Sequence, residues 1–298
     1  MIEKLEYLIA LAQEKHFGRA AELCAVSQPS LSLGLKQLEE ALGVLLVHRG
    51  SRFIGLTAEG ERTLDWARRI VGDARAMRQD ITALKLGLAG RLRIAVIPAA
   101  LPMTATVTGP LSARHPDVQF TILSRPGHNI PPLLENLDID AAITYMDTEL
   151  PNGFRAIPLY RERYLLLTTK EAPLAKRETV TWDEVSRLPL CLLTPDTENR
   201  RIIEGLLRGT GGIPRITLES DSMLVLFAHV RTGAWVSIVP DKIAQSTRIS
   251  DGNLHVIPIV EPDVVHTVGL VMPERDPTTP LATALAAQAR LTALELLH

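Results

Sequence analysis

The sequence lacks the motifs by which the common enzyme classes are recognised. It has no GxSxG nucleophile elbow, no HExxH zinc motif, no phosphate-binding loop and no paired CxxC. No apolar run approaches the ~18 residues of a membrane span, and the first residues do not resemble a secretory signal peptide. We therefore expect a cytoplasmic protein that is not an enzyme, needs no cofactor and contacts no membrane. The alternative is an enzyme whose catalytic groups are scattered along the chain.

Cysteine and net charge are also low. Cys24 and Cys191 lie far apart in apolar surroundings, which is typical of buried thiols in a reducing compartment; a redox pair is the alternative. The formal net charge at pH 7 is −2, and basic and acidic residues are nearly balanced over residues 1–90. Any nucleic acid would therefore have to be bound by a local basic patch, because the chain as a whole is not basic.

The most informative segment is residues 16–57. Ser27 suits a helix N-cap because its hydroxyl can accept an orphan amide proton, and Pro29 then falls in the first turn, where its missing N–H costs nothing. Upstream of this helix, apolar residues at helical spacing predict two further helices. The helix that begins after Ser27 has an apolar face that we expect to be buried, formed by Leu31, Leu35, Leu38 and Leu42.

The opposite face of this helix carries short polar and cationic groups that suit base edges and phosphates. The basic segment that follows, with Gly50 and Ser51 in position for a turn, predicts a hairpin whose arginines reach phosphates. Together these elements predict a winged helix-turn-helix, which places one helix in the DNA major groove. The alternative is a surface helix of an unrelated helical domain. The candidate DNA-binding residues are Ser27, Gln28, Pro29, Ser30, Ser32, Lys36, Arg49 and Arg52.

Residues 58–88 predict one long helix with Thr57 as its N-cap. Apolar residues recur along it at spacings of three and four, as in the seam of a coiled coil. The length of the helix favours pairing with a second copy of the chain; the alternative is an amphipathic helix packed on its own domain. The predicted seam consists of Ala67, Ile70, Ala74, Met77, Ile81, Leu84 and Leu88.

The segment from residue 20 to residue 60 resembles the N-terminal domain of LysR-type transcriptional regulators. The resemblance implies a DNA-binding domain at 1–58, a dimerisation helix at 59–88 and an effector-binding domain at 89–298. The chain departs from the family pattern at Gly34, where a polar residue is frequent on the recognition helix; a glycine there indicates either close backbone approach or a weak contact with a base. The matching residues are Ala20, Ala21, Leu23, Ser27, Gln28, Pro29, Ser32, Leu38, Glu39, Leu42, Gly43, Arg49, Leu56, Thr57 and Gly60.

The same resemblance implies the partners. They are double-stranded promoter DNA, a second copy of the chain in a homodimer or homotetramer, a small-molecule effector, and RNA polymerase as a further candidate. Residues 46–81 and 188–203 bear a weaker resemblance to regulators of formate dehydrogenase operons. That weaker resemblance implies a small carboxylate, with formate as the candidate.

From residue 91 onward strands alternate with helices, which predicts parallel α/β sheets. The arrangement resembles the two-lobed effector domain of the same family, which is similar to periplasmic solute-binding proteins. We place lobe one at 91–162 plus 267–298 and lobe two at 163–266. The predicted fold class is therefore a multidomain α+β protein: winged helix-turn-helix, long linker helix and two-lobed α/β effector domain. A solute-binding protein is the alternative, but it would have a signal peptide and no helix-turn-helix.

Ligands in such folds bind at the carboxyl ends of strands, in the cleft between the lobes. Ala99 stands where the family often offers a hydroxyl to an effector carboxylate, and Trp235 where a glycine is usual, which together suggest a small cleft. The candidate effector-binding residues are Ala99, Ala100, Ser124, His128, Asn129, Thr144, Thr194, Asn199, Arg200 and Trp235.

Each of these candidates has a structural alternative. His128 and Asn129 could satisfy loop backbone groups, Arg200 could form an i,i+4 ion pair with Glu204, and Trp235 could pack in the core. Asp138 and Asp140 have the spacing of a metal pair, but they precede a strand as the family's acidic position does. We expect no metal there.

Overall fold

The structure is a computed structural model that describes residues 1–49, 53–146, 153–211, 213–246, 252–274 and 276–296. The chain forms two compact units, residues 1–88 with 135–138 and 275–280, and the remainder from residue 89 onward. In the part of the chain that the structure describes, no helix combines the length and apolar character that a bilayer crossing requires.

The first unit is a three-helix domain with a hairpin and one long helix. Ser27 and Thr57 are confirmed as N-caps, because their side chains accept the backbone N–H of Ser30 and Gly60 respectively. The hairpin strands pair antiparallel, with Val47 opposite Leu56. The elements are α1 (Ile2–Glu14), α2 (Phe17–Leu23), α3 (Gln28–Leu42), β1 (Val47–Arg49), β2 (Phe53–Leu56) and α4 (Ala58–Leu86).

The apolar face of α3 forms much of the core of this unit, as predicted for Leu31, Leu35 and Leu38. The prediction was wrong for Leu42, which is 44% exposed. Leu42 is the last residue of α3, and Gly43 turns the chain away in a left-handed conformation directly after it. The packed part of the helix therefore ends one turn before the helix does.

Gly34 lies on the buried face of α3 and not on the surface that could face DNA. A Cβ at this position would lie 2.7 Å from ring atoms of Tyr7 in α1. The glycine therefore reflects close approach of two helices. The alternative interpretation, a weak contact with a base, does not fit this position.

The second unit has two sheets and their covering helices. In one, β3 lies between β4 and β5 and is parallel to both, and β13 joins β5 to β6 by antiparallel pairing. In the other, β7 lies between β11 and β12, with the parallel pair β9–β10 beside it. The strands are β3 (Gly90–Val96), β4 (Val118–Ser124), β5 (Ala141–Tyr145), β6 (Phe154–Glu162), β7 (Tyr164–Thr169), β8 (Val180–Thr181), β9 (Leu190–Leu193), β10 (Ile216–Ser220), β11 (Ser237–Pro240), β12 (Leu254–Val260) and β13 (His266–Pro273).

The two sheets belong to two lobes that two chain crossings connect. One crossing runs from β6 to β7 through Arg163, and the other runs from β12 into β13. At the edge of lobe one His266, the first residue of β13, is paired with Glu162, the last residue of β6. The helices of this unit are α5 (Thr104–Arg114), α6 (Ile130–Glu135), α7 (Trp182–Ser186), α8 (Glu198–Gly209), α9 (Met223–Val230), α10 (Asp241–Ser246) and α11 (Pro280–Leu296), with short 3-10 turns at Pro98–Met103, Gly127–Asn129 and Pro173–Lys176.

Candidate DNA-binding surface and effector cleft

The exposed face of α3 contains most of the predicted DNA-binding residues. Gln28, Pro29, Ser30 and Lys36 are exposed, and Ser32 is half-buried. Lys36 Nζ lies 3.7 Å from Glu40 Oε1 in an exposed i,i+4 pair, which is too weak to hold the lysine away from a phosphate. The predicted part of this face is thus polar, and Lys36 is the exposed cation of α3.

Three further exposed residues share this face but were missed from the sequence. They are Leu33, which is 56% exposed, Gln37 and Glu40. An amide such as that of Gln37 can read base edges, and an exposed leucine can contact a thymine methyl group. The sequence signal that could have found them is helical spacing: Leu33 lies three residues after Ser30, Gln37 four after Leu33, and Glu40 four after Lys36.

The start of α3 is fixed by the predicted serines. Ser27 Oγ accepts the N–H of Ser30 at 3.2 Å, and the two hydroxyl oxygens are 2.8 Å apart. Both hydroxyls therefore contribute to the cap, which orients the first turn that Gln28 and Pro29 occupy. In the hairpin the structure describes the backbone of Arg49 in β1, whereas the side chain of Arg49 and all of Arg52 lie outside the described residues.

A buried carboxylate joins α3 to the hairpin. Glu39 is 5% exposed, and its Oε1 accepts the backbone N–H of Leu46 at 2.9 Å and that of Val47 at 3.3 Å. These two residues lead into β1, so Glu39 sets the position of the hairpin relative to α3. A buried charge is tolerated here because backbone donors point at it.

The long helix α4 has two apolar faces. Leu64, Ala67 and Val71 pack into the core of the first unit. A second row remains exposed and consists of Trp66, Ile70, Met77, Ile81 and Leu84.

The predicted seam is therefore partly wrong. Ala67 belongs to the packed face, and Leu88 lies beyond the end of the helix at Leu86. The exposed row instead includes Trp66, which lies four residues before Ile70 and was not part of the predicted seam. The row repeats as a coiled-coil seam does, so it can pair with another helix.

In the second unit, the first turn of α8 in lobe two meets lobe one. A Cβ built on Gly127 would lie 2.6 Å from Glu198 Oε2 and 3.6 Å from Thr144 Oγ1. Gly127 therefore leaves room for the Glu198 carboxylate, beside the hydroxyl of Thr144. Thr144 is only 7% exposed. This places a carboxylate and a hydroxyl at the carboxyl ends of strands, where ligands of such folds bind.

A second contact between the lobes lies next to the first. The Tyr145 hydroxyl donates to Glu162 Oε1 at 2.6 Å and accepts from Asn199 Nδ2 at 3.0 Å. Burial, followed by the nearby Glu162 carboxylate, holds the pKa of Tyr145 well above its ordinary value, so the hydroxyl stays protonated and can donate. Asn199 thus joins α8 to the end of β5.

Arg200 is held by neighbours within lobe two. Its Nη1 donates to Leu193 O at 2.8 Å and to Glu219 Oε1 at 2.6 Å, and its Nη2 lies 3.4 Å from Glu204 Oε2. The pair with Glu204 is the structural alternative expected from the sequence. Glu219 was not anticipated, because it comes from β10. With both carboxylates present, the guanidinium is not presented to the cleft as a lone cation.

Thr194 and Trp235 also lie in lobe two. Thr194 is in the turn from β9 to α8, and its Oγ1 is buried and has no hydrogen bond among the described residues. Trp235 packs beside the core of lobe two, and its Nε1 donates to Thr217 Oγ1 at 3.0 Å. Its ring also contacts His229 edge-on. These contacts give Trp235 a packing role and do not place it against Thr144 or Glu198.

The remaining candidates divide into buried and exposed positions. Ala99 and Ala100 are buried, and Ala99 packs against the core of lobe two, so neither offers a surface to a solvent-borne ligand. Ser124, His128 and Asn129 are exposed near Gly127. The sequence analysis named Asn199 and Thr144 but missed Glu198, Gly127, Tyr145 and Glu162, which these contacts bring together.

Asp140, one of the two acidic residues with metal-pair spacing, is bound by an arginine. Its Oδ1 accepts from Arg93 Nη2 at 2.9 Å, and its Oδ2 accepts the backbone N–H of Arg93 at 2.8 Å. These contacts hold the loop before β5 against β3, so this carboxylate has a structural partner.

Comparison with known proteins places both units in one family. Residues 2–61 match the model described as the bacterial regulatory helix-turn-helix protein of the lysR family, and residues 85–293 match the LysR substrate binding domain. The chain is 32% identical over 290 residues to the uncharacterized HTH-type transcriptional regulator YnfL of Escherichia coli K12, covering 94% of this chain and 95% of that protein.

Two further relatives are named for OxyR or for peroxide. The hydrogen peroxide-inducible genes activator of Dickeya chrysanthemi is 29% identical over 271 residues, covering 91% of this chain and 88% of that protein. The structure of a full-length OxyR variant from Pseudomonas aeruginosa superposes with a TM-score of 0.76 at 28% identity, covering 98% of this chain and 95% of that one. The helix-turn-helix unit, the effector domain and these relatives agree, and the chain therefore belongs to the LysR family of DNA-binding transcriptional regulators, which are not enzymes.

Proposed function

We propose that this regulator binds promoter DNA as a dimer or tetramer through α3 and the hairpin, and that a small polar metabolite in the cleft between the effector lobes changes that binding. The observation that carries the proposal is the division of α3 into a buried leucine face and an exposed polar face. Only the polar face can enter a major groove, which admits one helix. The protein would act in the cytoplasm, with RNA polymerase as a candidate further partner.

The exposed face of α3 supplies groups for both kinds of DNA contact. Gln28 and Gln37 offer amides suited to base edges, whereas Lys36 offers a charge suited to a phosphate. Arg49 and Arg52 of the hairpin remain predicted phosphate contacts. Ser27 would act indirectly, because its hydroxyl caps the helix.

Replacing Lys36 by alanine is expected to weaken binding to all DNA sequences by about fivefold, equivalent to about 1 kcal/mol. Because one phosphate contact is lost, the slope of log K against log salt should flatten by about 0.9. Fluorescence anisotropy at several salt concentrations measures both quantities. Lys170→Ala removes the same charge from an exposed position in the effector domain and is the control. An unchanged salt slope in Lys36→Ala would exclude the phosphate contact.

The exposed apolar row on α4 supports a second copy of this chain as partner. Such a row costs free energy in water, and a matching row on an antiparallel or parallel partner helix would bury it. Dimerisation would also place two copies of α3 on two half-sites of the promoter. A tetramer would need further contacts from the effector domains.

The effector cleft supports regulation by a change in lobe arrangement. The lobes are joined by two crossings, and the first turn of α8 contacts lobe one through Glu198 and Asn199. A ligand that binds one arrangement better than another shifts the population towards it. In a tetramer, such a shift would alter the spacing of the DNA-binding domains and thereby DNA bending or polymerase contact.

Peroxide is the effector suggested by the name of the Dickeya chrysanthemi relative, but the cysteines of this chain do not favour it. Burial raises the pKa of the Cys191 thiol to about 11, and burial also raises the pKa of Cys24. A reactive cysteine needs the opposite shift, since the thiolate is the nucleophile. We therefore propose an effector that binds without covalent chemistry. The hydroxyls of Thr144 and Thr194 and the amide of Asn199 would contribute hydrogen bonds.

Footprinting of the full-length protein on its own upstream intergenic DNA tests this proposal. The titrants are formate, which the sequence suggested, other small carboxylates, small amines and hydrogen peroxide. A footprint that changes with a non-oxidising ligand would support the proposal and identify the effector class. A response to peroxide alone that is lost in Cys191→Ser would refute non-covalent sensing. The absence of DNA binding at low salt would refute the proposed DNA contacts.

A further inference from the structure

Three residues of the loop before β5 are built into the first unit, and we call residues 136–138 the anchor segment. They cluster with residues 1–88, although the chain before and after this loop belongs to the second unit. Leu137 is 8% exposed and packs in the apolar core that α1, α3 and α4 share. Its φ of 65° lies in the left-handed region, which a leucine rarely adopts. Such a conformation persists where the surroundings hold the residue in place.

Polar groups of α1 and α4 also hold the anchor segment. Each of its three residues accepts one hydrogen bond from these helices. The hydrogen bonds run from Arg68 Nη2 to Asn136 Oδ1 at 2.8 Å, from Arg75 Nη1 to Leu137 O at 3.2 Å and from Gln13 Nε2 to Asp138 Oδ2 at 2.9 Å. Because α1 and α4 share one core with α3, a displaced anchor segment would act on the helices that orient α3.

The anchor segment continues directly into β5, which is held firmly in its sheet. Only Ile139 separates Asp138 from Asp140. The backbone N–H of Asp140 donates to Arg93 O at 2.8 Å, and its carboxylate accepts from the same arginine. All of β5 is buried, and the strand is paired with β3 on one side and β13 on the other. Closely packed elements transmit strain, so a shift at one end of β5 reaches the other end.

The carboxyl end of β5 is bonded to lobe two. Tyr145, its last residue, accepts a hydrogen bond from Asn199 Nδ2 in the first turn of α8 at 3.0 Å. Thr144, a candidate effector contact, lies one residue earlier. A change in lobe arrangement that lengthens the bond between Asn199 and Tyr145 therefore acts on β5 at the proposed effector cleft.

We propose that β5 and the anchor segment form the path by which the effector cleft controls DNA binding. A change in lobe arrangement acts on Tyr145, β5 carries the displacement to Leu137, and Leu137 changes the packing of α1 and α4. Small shifts become discrete changes at such a site because packed cores do not deform continuously. The inference rests on the proposed effector function of the cleft and adds the route from the cleft to α3.

A double-mutant cycle on the full-length protein tests this path without any effector. Asn199→Ala removes the hydrogen bond at the cleft end of β5, and Leu137→Ala removes the side chain that anchors the other end. Fluorescence anisotropy measures the affinity of the wild type, both single variants and the double variant for the upstream intergenic DNA. Asn199→Ala should change the dissociation constant by about threefold or more in the wild-type background, and by less than about 1.5-fold in the Leu137→Ala background.

Three further variants separate this coupling from a loss of stability. Leu64→Ala truncates another leucine of the same core; it should lower the melting temperature but keep the full effect of Asn199→Ala. Leu137→Met keeps the side-chain volume and should also keep the full effect. Asn136→Ala removes one polar contact of the anchor segment without opening the core, and it should reduce the effect of Asn199→Ala.

Two results would overturn the inference. One is an Asn199→Ala effect of equal size in the wild-type, Leu137→Ala and Asn136→Ala backgrounds, which would show that the anchor segment carries no coupling. The other is a DNA affinity that Asn199→Ala leaves unchanged, because the cleft end of β5 would then not act on DNA binding. Both results leave the proposed function standing, since that function fails on different evidence: a wild-type protein that does not bind its upstream DNA, or a footprint that no titrant changes.

Discussion

Replacing Glu39 by alanine is expected to lower the free energy of unfolding of the DNA-binding domain by about 2–4 kcal/mol. The substitution removes the acceptor of two buried backbone donors, the N–H groups of Leu46 and Val47. Each buried donor left without a partner costs about 1–3 kcal/mol, and the longer of the two hydrogen bonds contributes less. Thermal and urea unfolding followed by circular dichroism would measure the loss.

The same substitution should also weaken DNA binding, and by more than the smaller fraction of folded protein would explain. With the Glu39 carboxylate gone, the entry to β1 is no longer fixed to α3, so the hairpin and the helix lose their common orientation on the duplex. Glu40→Ala is the matched control for stability only, because Glu40 is the exposed neighbour of Glu39 and should change stability by less than about 0.5 kcal/mol. It is not a control for DNA affinity, since Glu40 lies on the exposed face of α3 beside Lys36. Glu39→Gln keeps one acceptor oxygen, so its stability should lie between the stabilities of Glu39→Ala and Glu40→Ala. Equal stability of Glu39→Ala and Glu40→Ala would show that the hydrogen bonds contribute nothing.

The DNA-binding domain could largely be predicted from the sequence because its signals are local. The caps at Ser27 and Thr57 follow from residue type and position, and the burial of Leu31, Leu35 and Leu38 follows from helical spacing. Leu42 is exposed although its spacing predicts burial, because spacing gives the direction of a side chain but not whether another element lies opposite it. That depends on where the neighbouring helices end.

The effector cleft could be predicted only in part because its contacts are not local. Local spacing correctly gave the Arg200–Glu204 pair, but Glu219 arrives from a strand nineteen residues away. Similarly, the close approach of Glu198 to Gly127 arises only when α8 is placed against the other lobe. Which residue of a first turn faces across a cleft is set by the orientation of the two lobes. No periodicity along one segment contains that information.

Replacing Met77 by glutamate is expected to weaken dimerisation by about 100-fold or more. Met77 is an exposed residue at the centre of the apolar row on α4, between Ile70 and Ile81. In the dimer, the new carboxylate would be buried in an apolar seam opposite its own copy or another apolar side chain. Leaving a buried charge without a partner costs about 3–5 kcal/mol, and 1.4 kcal/mol corresponds to a tenfold change in the dissociation constant.

Thr82→Glu separates this effect from that of charge alone. Thr82 is exposed on the same helix but lies about 140° around the axis from Met77, at 100° per residue. Sedimentation equilibrium should show Met77→Glu as a monomer at micromolar concentration, with Thr82→Glu and the wild type as larger species. The monomer should retain helical content, because Leu64, Ala67 and Val71 still anchor the other face of α4. If Met77→Glu assembles as the wild type does, the apolar row is not the dimer interface, and the two copies of α3 must be brought together by other surfaces.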